Sequence, residues 1–190
     1  MSARYSRFSK AISPKIQDTS VLKIIFVPPK PTPFTLRFAP THTFTYTASR
    51  WLDEPHHPLF DRIKERWETR QAPLWSSFVT AGKNEALRKR VVRSWLTRRL
   101  RQTFWKSLEK NGYGKDGTRL EGSARKDDLY GTAQFLADFD GRLLSIVEVQ
   151  KLMDSAVGKM ISVHKQSLTY TRSLFAPENR KRVEHIKQHW

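Results

Sequence analysis

The sequence predicts an α+β fold: a small, mainly helical core, two or three short N-terminal strands, and basic terminal extensions. Three observations lead there. Between Val21 and Thr47 apolar and polar residues alternate in short runs, the period of half-buried strands. From Pro58 onward the apolar residues recur at helical spacing. The positive charge is gathered into blocks rather than spread along the chain. A length of 190 residues with 38% hydrophobic content supports one modest core. The expected organisation is a basic arm over 1–20, a single α+β domain over 21–172 and a basic tail over 173–190.

The elements follow in order. Val21 to Val27 predicts a strand, ended by Pro28-Pro29. Lys30-Pro31-Thr32-Pro33 is an extended linker, because each proline fixes its own φ and restricts the residue before it. Phe34, Leu36 and Phe38 alternate with Thr35 and Arg37, giving a second strand, and Thr43 to Thr47 repeats the pattern as a possible third. Exposed aromatics on such a sheet could stack on bases; the stronger expectation is that one face packs on a helix.

Residues 58–71 predict a helix with Pro58 in its first turn and Leu59, Phe60, Ile63 and Trp67 on its apolar side; Pro73 ends it. Residues 84–111 predict the longest helix, with Asn84 as N-cap and Gly112 just past the end. Its apolar positions Leu87, Val91, Trp95, Leu100, Phe104 and Leu108 drift around the axis, widened by Val92, Leu96 and Trp105. Either this helix curves round its core or its halves pack on different partners. Glycine turns fill 111–130, and Thr132 to Ala137 predicts another strand, followed by a turn over Asp138 to Arg142. Ser145-Ile146-Val147-Glu148 is a capping box opening a core helix to about Gln166, with Ile146, Val149, Met153, Val157, Met160 and His164 on its apolar side. Pro177 opens a last short helix.

The formal net charge is +17. Residues 1–50 hold 8 Lys/Arg against 1 acid, and residues 83–110 hold 10 against 2. Self-repulsion on this scale disfavours a compact chain unless a polyanion offsets it, and phosphate backbones do so by releasing counterions. The candidate nucleic-acid-binding residues are Arg4, Arg7, Lys10 and Lys15 in the arm, and Arg88, Lys89, Arg90, Arg93, Arg98, Arg99, Arg101 and Lys106 on the long helix. Arg180, Lys181 and Arg182 in the tail complete the set. A solvated helix face would carry both signs at i to i+4 spacing. Here Glu85 and Glu109 are the acids, both near the ends, and arginine predominates, which suits bidentate phosphate contact.

Other chemistries find little support. Absent cysteine excludes disulfides, thiolate metal sites and cysteine nucleophiles. Gly112-Tyr113-Gly114-Lys115-Asp116-Gly117 matches a dinucleotide-binding spacing, but a helix precedes it and a polar loop follows, the reverse of what that mechanism needs. Asp138, Asp140 and Gly141 depart from calcium-loop spacing. His185 and His189 lack a third ligand pattern. No G-x-S-x-G nucleophile turn occurs, and no apolar run reaches the roughly 18 residues a membrane span needs. No cofactor and no small-molecule substrate are expected.

Residues 1–17 are basic, serine-containing and free of acids, as in mitochondrial transit peptides; a retained RNA-binding arm is the alternative. With these residues, its absent cysteine and its Arg-rich helix over 84–111, the chain resembles the added proteins of mitochondrial ribosomes. The resemblance is one of composition and organisation along the whole chain. It implies contact with rRNA phosphates, contact with neighbouring proteins of the particle and no reaction; the transit-like start points to the mitochondrial matrix, with nucleus or cytosol as alternatives. A DNA-binding or nucleoid protein is the competing function, although no helix-turn-helix or zipper spacing stands out. A nucleic-acid-processing enzyme is a third, and would need Asp127, Asp128, Asp138 and Asp140 gathered in a cleft.

Overall fold

In the computed structural model the described residues are 16, 19–30, 32–45, 48, 51–52, 56–80, 89–137 and 144–174. The expected arm over 1–20 and tail over 173–190 lie almost wholly outside them, as do Asn84, the turn at Asp138 to Arg142 and the helix expected after Pro177. The fold is α+β, as the sequence predicts.

A four-stranded sheet has the order β1-β2-β4-β3, built from Lys23–Phe26 (β1), Phe34–Ala39 (β2), Leu74–Thr80 (β3) and Gly131–Ala137 (β4). The pairs β1–β2 and β2–β4 are antiparallel, and β3–β4 is parallel. Parallel neighbours need a crossover; the chain makes it through the helix Arg90–Lys110 (α2). That helix and Ile146–Leu174 (α3) pack against one sheet face, where Phe34, Leu36, Phe38, Phe135 and Leu74 meet Leu100, Phe104, Met153 and Val157. The Phe104 and Phe135 rings are edge-on at 4.8 Å. These strand aromatics are thus buried under helices and present nothing to a base.

Leu74 joins that core. Its neighbour Trp75 points to the opposite face, because successive strand residues alternate. There it joins a smaller cluster with Phe44 and Leu52, flanked by Phe60, Ile63 and Trp67 of the helix Phe60–Glu68 (α1).

Several expectations change. Strand β3 was not foreseen, although its run Leu74 to Thr80 between Pro73 and Gly82 is rich in strand-forming residues. Thr43 to Thr45 form no strand of the sheet: Thr43 N–H donates to Thr132 Oγ1 (3.0 Å), and Ala48 N–H folds back onto Thr45 O (2.9 Å). Helix α1 is shorter than 58–71, with Pro58 ahead of it in a turn. Helix α2 begins at Arg90, and residues 84–88 lie outside the described set. It ends where expected: Gly112 adopts φ +83°, its N–H reaches Glu109 O (2.9 Å), and Tyr113 N–H reaches Leu108 O (3.0 Å). Both bonds of a Schellman stop are therefore made, and Leu108 and Tyr113 are both buried beside it.

The capping box of α3 is present in both directions, Glu148 Oε2 accepting from Ser145 N–H (2.7 Å) and Ser145 Oγ from Glu148 N–H (3.2 Å). These bonds hold the Glu148 carboxyl below the usual range, backbone first. The helix runs past Gln166 to Leu174, since no glycine or proline stands between Gln166 and Pro177. Ile146, expected on its apolar side, is exposed in the first turn.

Candidate nucleic-acid interface

Helix α2 buries Leu96, Leu100, Thr103, Phe104, Ser107 and Leu108. At about 100° per residue, this face turns Val91 and Trp95 outward. Val91 is 79% and Trp95 46% exposed, so the expectation that both belong to the core stripe is overturned. The drift seen in the sequence is a change of environment along one helix: from Leu96 onward its inner face is buried, whereas Val91 and Trp95 nearer its start are exposed.

The seam to α3 fixes which way the outer face points. Gln150 Nε2 donates to Thr103 O and to Asp154 Oδ1, both at 3.1 Å. Ser107 Oγ donates to the same carboxylate, and Lys110 Nζ pairs with it at 2.7 Å. Burial pulls the Asp154 pKa upward, but hydrogen bonds from Lys110, Ser107 and Gln150 outweigh it and leave the carboxyl below its ordinary value.

Of the sequence candidates, Lys89, Arg90, Arg93, Arg98, Arg99, Arg101 and Lys106 fall among the described residues. Arg4, Arg7, Lys10, Lys15, Arg88, Arg180, Lys181 and Arg182 lie outside them. Lys89, Arg90, Arg98, Arg101 and Lys106 are exposed, and none of these five meets a carboxylate among the described residues. They extend over about 24 Å of helix, at about 1.5 Å per residue. No acid stands in the first turn and no side chain caps it. Cations there oppose the helix dipole, a placement that favours a bound anion over bare solvent.

Two candidates are drawn toward the protein. Arg93 is half-buried on the core side of the helix. Arg99 donates from Nη2 to Leu144 O (2.6 Å), tying α2 to the segment that enters α3, and its guanidinium lies 5.1 Å from the Trp95 ring. Burial lowers its pKa from the usual arginine value. Arg99 is therefore partly spent on structure. Arg101 rests on the Phe78 ring at 5.5 Å, which sets its direction, while no hydrogen bond from its guanidinium is made among the described residues.

Trp95 is the residue that sequence reasoning assigned wrongly. An exposed indole between arginines offers a stacking surface for a base. The signal that could have found it is the angle of about 140° between Trp95 and Leu100, which turns the indole away from the face that Leu100 buries.

Among the described residues no group of three or more His, Asp or Glu is placed to hold a metal ion. No helix there is long and apolar enough to cross a membrane. Asp127 and Asp128 lie on the 111–130 loop and are not gathered in a cleft beside the basic face: Asp128 accepts from Arg119 N–H at 2.9 Å. No protein-family model, curated protein or solved structure matches the chain.

Proposed function

We propose that this chain is a structural, RNA-binding component of a large ribonucleoprotein particle, with a mitochondrial ribosomal subunit as the expected particle. The observation that carries the reading is the outer face of α2. Lys89, Arg90, Arg98, Arg101 and Lys106 stand exposed there without a carboxylate partner among the described residues, beside the exposed ring of Trp95. Arg98 and Arg101, three residues apart, repel each other in the free helix. A phosphate backbone reverses that term and adds counterion release.

The core supports the reading by what it leaves free. Helix α2 is anchored through its C-terminal half and the Asp154 seam, so its outer face is rigidly presented. The backbone that carries the cations therefore needs no ordering on binding. The basic arm and tail would add contacts to the same RNA, and neighbouring proteins would complete the environment.

The test is co-sedimentation. Expressed in its own cells with an affinity tag, the chain should travel with a large particle in a sucrose gradient at low salt and be stripped at high salt. Crosslinking should attach it to structured RNA in preference to duplex DNA. Migration as a free small protein at low salt would refute the proposal, and preferential duplex-DNA crosslinking would favour the nucleoid alternative.

A further inference from the structure

A second feature lies away from the outer face of α2. Between the 111–130 loop and the C-terminal half of α3 is a cavity of about 370 Å³, at the lower end of the range for small-molecule sites. Arg125, Lys126 and Lys165 border it, with Asp127 as its one carboxylate. Ala124 and Leu168 supply an apolar wall.

The walls are fixed by the chain itself. Arg125 donates from Nε to Asn111 O (2.9 Å) and from Nη2 to Asn111 Oδ1 (3.4 Å), and its guanidinium lies 5.6 Å from the Tyr113 ring. Leu129 N–H reaches Gly117 O at 2.8 Å, pinning the far side of the loop. Binding to such a site demands little reordering.

Two buried side chains on the wall retain hydrogen-bonding capacity. His164 is 4% exposed, and its Nε2 accepts from Tyr130 N–H at 3.3 Å. Burial lowers its pKa against an opposing pull from Asp127, so the ring is neutral near pH 7 and its proton resides on Nδ1. Tyr113 is 3% exposed, and burial keeps its hydroxyl protonated by raising its pKa. Neither His164 Nδ1 nor the Tyr113 hydroxyl has a partner among the described residues. Both atoms keep solvent-accessible surface, so water can meet them and a ligand's polar group can take its place.

Three cations, two neutral donors, one carboxylate and an apolar wall in this volume match one chemistry: an oxyanion joined to a small polar group with a flat apolar side. We infer that this cavity binds a nucleoside-monophosphate unit, its phosphate on Arg125, Lys126 and Lys165 and its sugar or base met by Tyr113, His164 and Asp127 against Leu168. A free nucleotide and an unpaired nucleotide of a strand carry the same chemistry, so the inference stands without the α2 reading.

The test is isothermal titration of the full chain with adenosine monophosphate, adenosine and inorganic phosphate. The monophosphate should bind at least about tenfold more tightly than either part. Lys126→Ala and Lys165→Ala, both at exposed positions, should each weaken it about tenfold while leaving thermal unfolding unchanged. Tyr113→Phe, which removes only the hydroxyl, should weaken it severalfold. Neutralising Arg98 and Arg101 should leave it unaltered, which separates this site from the α2 face. A phosphorylated oligoadenylate that displaces the monophosphate assigns the unit to a strand, and one that does not assigns it to a free nucleotide. Absence of monophosphate binding at millimolar concentration, or affinity indifferent to both lysine substitutions, overturns the inference.

Discussion

Replacing Arg98, Arg101 and Lys106 together by glutamine removes three exposed cations from the outer face of α2 without touching the buried face. Each phosphate contact contributes about 0.7 to 0.9 to the slope of log K against log salt, so three should lower that slope by roughly 2 to 2.7. Between 50 and 200 mM salt the native chain should then lose roughly 15- to 40-fold more affinity than the variant. Folding stability should move by no more than about 0.5 kcal/mol, because the positions are surface and the substitutions relieve like-charge repulsion. The assay is filter binding or fluorescence anisotropy with a structured RNA over that salt range, with urea unfolding run alongside. The control is the same loss of charge from α1, as Arg62→Gln, Lys64→Gln and Arg66→Gln, where Asp61, Glu65 and Glu68 already balance the cations. It should leave the slope unchanged. Equal slopes for native chain and α2 variant, or an equal effect from the α1 control, would refute the assignment of phosphate contact to this helix.

Three further outcomes test the fold that presents this face. Asp154→Ala leaves Ser107 and Gln150 without their shared acceptor and should destabilise the chain by about 1–3 kcal/mol in urea titration. Since the folded-state pKa of Asp154 is depressed, its contribution is present above the unfolded value of about 3.9 and lost as pH falls through the folded value; Asp154→Asn should flatten that part of the acid-unfolding curve. Gly117→Ala should be disruptive, by about 2–4 kcal/mol, because φ is +86° and a Cβ would lie 2.4 Å from Leu74 Cβ and 2.6 Å from Leu129 O. Trp95→Ala should leave thermal stability nearly unchanged while weakening RNA binding by roughly 1–3 kcal/mol, the range for loss of one stacking ring; a large fall in melting temperature would return Trp95 to the core.

Much of the fold was legible locally. The capping box at Ser145 and Glu148, the glycine stop at Gly112 and the alternation Phe34, Leu36, Phe38 are short-range patterns, and each element begins, ends or faces as its pattern requires. Strand β3 was harder to see because adjacent Leu74 and Trp75 are buried on opposite faces of the sheet, which blurs the alternation. The cavity beside His164 had no signature at all. Tyr113, Arg125 to Asp127 and His164 to Lys165 are distant along the chain and meet only because the loop after α2 folds back beside α3.

The sequence by itself determined the charge, its concentration in two blocks, the absence of thiol chemistry, and the identity of most elements, since these depend on composition and on interactions within a few residues. Only the tertiary structure decided how α2 is rotated. That angle is set by Phe34 and Phe135 of the sheet and by the Asp154 seam to α3, which outcompete Val91 and Trp95 for the buried face. The rotation decides which arginines reach outward: Arg98 and Arg101 do, while Arg99 turns back to Leu144.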